Sequence, residues 1–385
     1  MHINFGGVVV EVRKFKKSIG SENFIFIVLF FGFFVAIGSV MGATNMMSTI
    51  MATSYDLLMN TCLYIMAISV IAGALSALFS EFGFVALIDM LLSKIMKPIY
   101  NLPGASSLGI LNCYLSDNPA ILTLAKEDNF KKYFKKFQLP ALTNIGTAFG
   151  MGLIVTTTMI GLPIEDSAKG ALIGNLGAIV GSIVSVRIML MFTSKVYGTT
   201  DWVETSGSDE VPEGHRTIRD GSAGSRFLES MLDGGKSGVD MGLAIIPGVV
   251  IMCTLVLILT NGAGPDGVYT GELGQGVPVL PWLGEKLSFI LNPLFGFSSP
   301  EGISVPITAL GSAGAAVGMA GKVAQNGNDV AVFTAMCMCW SGYLSTHIAM
   351  MDALNTKEVT GYAILSHTIG GLAAGTAAHL LFMVF

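Results

Sequence analysis

Gly104–Lys126 reads GASSLGILNCYLSDNPAILTLAK, an apolar stretch with Ser116-Asp117-Asn118-Pro119 at its centre. A carboxylate and a proline there interrupt an ordinary spanning helix, because the acid resists desolvation and proline lacks an N–H. Lysines stand on both sides, Lys94 and Lys97 before it and Lys126, Lys131, Lys132, Lys135 and Lys136 after it. Lys and Arg accumulate in cytoplasmic loops. The stretch is therefore expected to dip into the bilayer from the cytoplasm and return to that side. Broken backbone at membrane depth survives only where protein or a water-filled cavity covers it. An ionisable residue in such a place is a functional-site candidate.

The rest of the composition agrees with a membrane protein. Of 385 residues, 52% are hydrophobic and 12% charged, and the mean hydropathy is +0.67. Soluble domains carry about 25% charged residues. The net charge of −5 points to no partner, and the basic residues are scattered among short loops, which argues against nucleic-acid binding. The five cysteines (Cys62, Cys113, Cys253, Cys337 and Cys339) lie in apolar stretches without metal-ligand spacing. The motifs H-E-x-x-H and G-x-S-x-G are absent. No catalytic residue, metal site or cofactor is expected, beyond a coupling sodium ion or proton, and the chain is not read as an enzyme.

Apolar runs of about 20 residues cross the hydrocarbon core. Asn23–Ala43 is the first, with Thr44–Leu57 a short connection after it. Further spans are expected near Leu58–Phe79, Phe137–Ile160, Gly170–Phe192, Val239–Leu259, Val330–Met351 and Thr360–Phe385. Val85–Tyr100 and Pro281–Phe297 suit interfacial amphipathic helices. Ser298–Gly321 is a second broken stretch, and Lys195–Lys236 is a polar linker. With both broken stretches re-entrant, all of the 21 basic residues except Lys169, Lys286, Lys322 and Arg187 fall on the cytoplasmic side. Arg187, inside the fourth span, is expected to snorkel.

The order of elements occurs twice. Leu92–Tyr100 lies over Leu287–Phe295, matching Pro98 to Pro293, and Gly152–Phe192 aligns with Gly342–Phe382 without gaps. The division is 1–57 for the N-terminal segment and first span, 58–193 for one repeat with hairpin 104–126, 194–238 for the linker, and 239–385 for a second repeat with hairpin 298–321. Each repeat has an odd number of crossings, which inverts the second relative to the first. Paired broken segments in inverted repeats point to a secondary transporter with its site at the bilayer midplane. The fold class is an all-α polytopic membrane protein, with about seven spanning helices and two re-entrant hairpins.

Candidate binding residues follow from that placement. The first hairpin offers Asn112, Ser116, Asp117, Asn118 and Thr123. Asp117 is a candidate to take a proton or help hold sodium, and Asp-Asn-Pro is equally a natural helix start. The second hairpin offers Ser298, Ser299, Glu301, Ser304, Thr308 and Ser312, where Ser-Ser-Pro-Glu also reads as an N-cap. The packed spans add Asn144, Thr147, Ser341, Thr346, His347 and His367. An intramembrane histidine is either a proton carrier or a hydrogen-bonded packing residue.

Ser116-Asp117-Asn118-Pro119-Ala120-Ile121-Leu122-Thr123-Leu124-Ala125-Lys126-Glu127 resembles the Gate, or nucleoside-recognition, membrane family, which includes the spore maturation membrane proteins. Arg226-Phe227-Leu228-Glu229-Ser230, with Gly235, Gly238 and Gly242, is similar to the approach to a span in that family and in concentrative nucleoside carriers. The resemblance covers roughly Leu58–Phe385 and implies a helical hairpin fold that moves a solute. The solute it implies is small and polar, nucleoside-like or other. Leu115-Ser116-Asp117-Asn118 stands where nucleoside carriers have a Gln-Thr-Glu type sequence, and Leu310-Gly311-Ser312-Ala313 replaces their Asn-Glu-Phe pattern. The expected protein sits in a bacterial inner membrane with its N-terminus in the cytoplasm. It moves a small polar solute by alternating access, alone or as a homo-oligomer. The alternative is a non-transporting gate or scaffold acting with a partner membrane protein.

Overall fold

The computed structural model describes residues 2–5, 8–11, 18–118, 120–126, 128–131, 133–204 and 218–385. A short hairpin, β1 (His2–Phe5) against β2 (Val8–Glu11), opens the chain. Helices follow. α1 (Ser21–Met41) is apolar on every side and ends at Gly42, whose φ of 84° favours glycine. α2 (Ala43–Asp56), a π turn at Leu57–Cys62 and α3 (Leu63–Glu81) form one continuous run. The expected connection at 44–57 is thus helical. Thr, Ser and Asn dilute its hydropathy without breaking its backbone. α4 (Phe84–Tyr100) contains Pro98 and closes on Asn101 in the left-handed region.

The first broken stretch forms α5 (Ser106–Leu115) and α6 (Ala120–Lys126), which pack against each other, followed by α7 (Asp128–Lys131). The third expected span is in two pieces, α8 (Ala141–Thr147) and α9 (Gly152–Ile160). The break between them holds Met151 at φ 54°. α10 (Ser167–Tyr197) is unbroken.

The second half begins earlier than expected. α11 (Ala223–Gly248), a π turn at Val249–Cys253 and α12 (Thr254–Thr260) are continuous, so part of the expected polar linker is helix. α13 (Val279–Phe295) contains Pro293 and closes on left-handed Gly296. A 3-10 turn at Pro300–Ile303 leads into α14 (Ser304–Gly311), which packs on α15 (Ala313–Val323). The sixth expected span is likewise broken, into α16 (Gly327–Cys339) and α17 (Tyr343–Ala353), with left-handed Gly342 between them. α18 (Thr360–Val384) ends the chain. Among the described residues, five helical runs are long and apolar enough to cross a membrane: Ser21–Met41, Ala43–Glu81, Ala141–Ile160, Ser167–Tyr197 and Lys357–Val384.

Glycines let two helix pairs, α3 with α11 and α10 with α18, pack backbone to backbone. A methyl group on Gly234 of α11 would meet the Gly73 carbonyl of α3 at 2.3 Å, and one on Gly238 would meet the Ser69 carbonyl at 2.3 Å. On α10, methyl groups on Gly177 and Gly181 would meet the Ala374 and Gly370 carbonyls of α18 at 2.7 and 2.5 Å. Small residues let backbones touch where lipid supplies no hydrophobic drive. Glu81, 5% exposed, then ties α3 to α11, with its carboxylate accepting from Arg219 at 2.9 Å and from Arg226 at 2.7 Å.

Each broken stretch leaves on the side where it enters. Gln138 Nε2 donates to the Asn101 carbonyl at 2.7 Å across the mouth of the first. Asn328 Nδ2 donates to the Gly296 carbonyl at 2.9 Å across the mouth of the second. The two mouths lie at opposite ends of α10. Arg187 of α10 bonds to the Pro98 and Ile99 carbonyls at 2.6 and 2.7 Å, while a methyl group on Gly170 would touch the Gly327 carbonyl. Residues 170 and 187 are about 26 Å apart along a helix axis. Arg187 thus directs its guanidinium toward the mouth of the first broken stretch. It satisfies two carbonyls that the end of α4 leaves open.

Candidate functional site

The two hairpin tips and the two broken spans come together. Asn118, 3% exposed, donates its Nδ2 to the Ser341 carbonyl at 2.6 Å. The N–H of Gly342 donates to the Ala309 carbonyl in the second hairpin at 2.9 Å. These two groups belong to one peptide unit, so both hairpins hold the same bond in the break between α16 and α17. The break exists because Gly342 takes φ 61°, which a glycine tolerates and most residues do not.

The Ser341 contact fixes Nδ2 as donor and turns Asn118 Oδ1 the other way. There Oδ1 is buried with no hydrogen-bond partner among the described residues. Gly150, in the break between α8 and α9, makes room for it. A methyl group on Gly150 would stand 1.4 Å from Oδ1 and 3.0 Å from Ser341 Oγ. An unpaired buried carbonyl costs about 1–3 kcal/mol, and an incoming N–H, O–H or cation would recover that. Ser312, at the second tip, is extended and accepts the Ala315 N–H at 3.3 Å. Thr346 returns its hydroxyl to the Gly342 carbonyl at 2.9 Å.

The remaining candidates spread out. Asp117 accepts the Asn118 N–H at 2.7 Å, holding the first tip open. Ser116 lines a cleft of about 280 Å³ with Ser69, Ser76 and Arg219. Asn112 and Ser116 share a second cleft of about 280 Å³ with Ser76 and Ser80. Thr308 and Ser304 bond back to the Ser304 and Glu301 carbonyls of their own segment. Ser298, held by Asn326 and Asp329, lies at the mouth of the second hairpin. Ser299 lines a small cleft there, and Glu301 follows in the 3-10 turn, away from the tips. The side chain of Thr123, and Pro119 altogether, lie outside the described residues.

Asn144 and Thr147 are buried in α8. Asn144 Nδ2 reaches Ser185 Oγ and Ser366 Oγ, both at 2.9 Å, and Ser185 bonds to His367 Nδ1 at 2.8 Å. This network joins α8, α10 and α18. His367 also contacts the Cys339 carbonyl through Nε2. His347 is fully buried, its ring centroid 4.6 Å from that of His367, and neither of its nitrogens has a partner among the described residues. Thr147 Oγ1 lies 4.0 Å from Met350 Sδ. Gly150, Gly342 and Ala309 were missed as site-forming positions in the sequence. The signals open to view were Phe149-Gly150-Met151-Gly152 and Trp340-Ser341-Gly342, glycines inside apolar runs.

No protein-family model matches the chain. An uncharacterized protein of Alkalihalophilus pseudofirmus, BpOF4_10220, is 25% identical over 224 residues, which cover 55% of this chain and 47% of that one. The chain thus spans about half the length of that curated relative. Among solved structures, the concentrative nucleoside transporter CNTnw in an outward-facing state matches 95% of this chain and 86% of its own, with a TM-score of 0.52 at 12% identity. A second outward-facing CNTnw structure gives a TM-score of 0.53 at 12% identity, covering 94% and 86%. An intermediate state gives 0.51 at 13% identity, covering 84% and 77%. The chain is an all-α multi-pass membrane protein with the fold of concentrative nucleoside transporters.

Proposed function

We propose that this chain is a secondary transporter that carries a small polar solute across the bacterial inner membrane by alternating access. In this reading its two halves form an inverted repeat, with mouth 101/138 facing the cytoplasm and mouth 296/328 facing outward. The observation that carries it is the free Asn118 Oδ1, buried where both hairpins hold the Ser341–Gly342 peptide. Paired broken segments meeting at mid-depth are where secondary transporters bind. The solute contacts are Asn118, Ser341, Ser312 and the Asp117 turn. Coupling to a proton or sodium belongs to Asp117, beside Asn118 at the first tip, or to His347, in α17 just past the break.

A thermal-shift screen of purified protein against nucleosides, amino acids and organic acids, with and without sodium, tests this. A stabilising solute whose effect disappears in Asn118→Ala supports the assignment. Stabilisation unchanged in Asn118→Ala and Asp117→Asn removes the site from the hairpin tips. A gate or scaffold acting with a partner is favoured by one feature, the bare apolar surface of α1 from Phe24 to Phe31. Proteoliposomes that take up none of the stabilising solutes would select that second reading.

A further inference from the structure

Thr158, in α9, is 3% exposed, and its Oγ1 has no hydrogen-bond partner among the described residues. Other buried threonines give their hydroxyls a partner, across to another element, as Thr49 does with the Glu272 carbonyl at 3.2 Å, or on their own helix. Thr308 bonds to the Ser304 carbonyl at 2.7 Å and Thr334 to the Val330 carbonyl at 2.6 Å. Such a back-bond is the ordinary local solution for a helical threonine. The neighbour Thr157 takes it too, with the Leu153 carbonyl at 2.7 Å. Thr158 leaves its hydroxyl free and lines a cleft of about 260 Å³ between the π turn Leu57–Cys62, the end of α9, and α15.

The cleft has a polar rim. Lys322 Nζ, on α15, donates to Asp56 Oδ2, on α2, at 2.8 Å, and Asn60 Nδ2 steadies Asp56 Oδ1 at 2.8 Å. The ion pair therefore bridges the cleft from the first half of the chain to the second hairpin. Asn60 lies in the π turn, a device that re-aims side chains and recurs at functional sites. Ile65 and Ile154, 1% and 2% exposed, separate this cleft from the one that Ser116 lines. Ile65 and Ser69 on α3, and Ile154 and Thr158 on α9, are each one turn apart, so the two clefts stack along the same faces.

We infer that this cleft is a chamber admitting small, neutral, polar molecules, with Thr158 as its inner contact and the Asp56–Lys322 pair as its lid. It is separate from the Asn118–Ser341 crossing and stands without the transport proposal. The volume equals about nine water molecules at ~30 Å³ each, enough for a compact solute. The lid charges cancel one another, so an entering ion would lose hydration with no free countercharge to meet it.

The test uses full-length protein and small thiol reagents as the admitted molecules. All five native cysteines are buried, and the unsubstituted protein sets the background rate. Thr158→Cys should react with neutral methyl methanethiosulfonate about tenfold above background, as thiol access controls the rate. The trimethylammonium-ethyl methanethiosulfonate should stay near background until Lys322→Gln is added, and then rise about tenfold. Val317→Cys is a second reporter in the same cleft, at a position only 2% exposed. It decides the matter if Thr158→Cys does not fold. Reporters at background even with Lys322→Gln would show a sealed packing gap and overturn the inference. Equal rates for neutral and cationic reagents with the ion pair intact would remove the lid and the selectivity together.

Discussion

Ser341 and Gly342 share a peptide unit that is held at both ends, its carbonyl by Asn118 of the first hairpin and its N–H by Ala309 of the second. Neither hairpin can withdraw without orphaning a buried backbone group, at a cost of about 1–3 kcal/mol. The α16–α17 break therefore links the movements of the two hairpins. A rigid helix at this position would offer no such free groups, because its own ladder would use them.

Asn118→Ala removes the donor to Ser341 and leaves that carbonyl unpaired. Thermal unfolding in detergent should show a loss of about 1–3 kcal/mol. Asn118→Asp also loses the donor and places a carboxylate against a carbonyl, so it should lose more than the alanine variant.

Gly150→Ala should be worse than Asn118→Ala, since its methyl group falls on Asn118 Oδ1. The collision is with a side chain, so the double variant Asn118→Ala/Gly150→Ala should be more stable than the sum of the single losses. A double-mutant cycle measures the coupling, expected at about 0.5–3 kcal/mol. Strict additivity would show that the two residues do not meet.

Asn144 is bound on several sides by Ser185, Ser366 and the Ala363 carbonyl. Asn144→Leu should lower thermal stability by breaking this network, while leaving the affinity for any stabilising solute unchanged. Loss of affinity at unchanged stability would instead make Asn144 a solute contact.

The Glu81 clamp should control the junction of α3 and α11. Glu81→Gln weakens its contacts to Arg219 and Arg226, and amide exchange at the start of α11 should quicken. Asp233→Asn should change little by comparison, because Asp233 is half exposed and meets Arg219 at 3.3 Å.

The hairpins were legible in the sequence because Ser-Asp-Asn-Pro and Ser-Ser-Pro-Glu put polar and helix-starting residues inside apolar runs. The breaks at 148–151 and 340–342 were not. Ala, Phe, Gly and Met, or Trp, Ser and Gly, keep hydropathy high, and only tertiary contacts convert those glycines into turns. The bonds of Arg187 to the Pro98 and Ile99 carbonyls were not readable, because those partners lie 89 and 88 positions away in the chain. The helical stretches 44–57 and 223–238 read as loops because Thr, Ser, Asn and charged residues lower their hydropathy without breaking the helix. Among the site candidates, Asn118 and Ser341 were named from the sequence, yet their mutual contact was not readable at a separation of 223 residues.

The central claim is that the hairpins enter from opposite faces and meet in the middle. Tyr133→Cys, beside the first mouth, and Gln325→Cys, beside the second, are exposed positions suited to a membrane-impermeant thiol reagent. Applied to one side of sealed proteoliposomes of uniform orientation, the reagent should label only one of the two variants, and the other only after permeabilisation. Labelling of both from the same side would contradict the account.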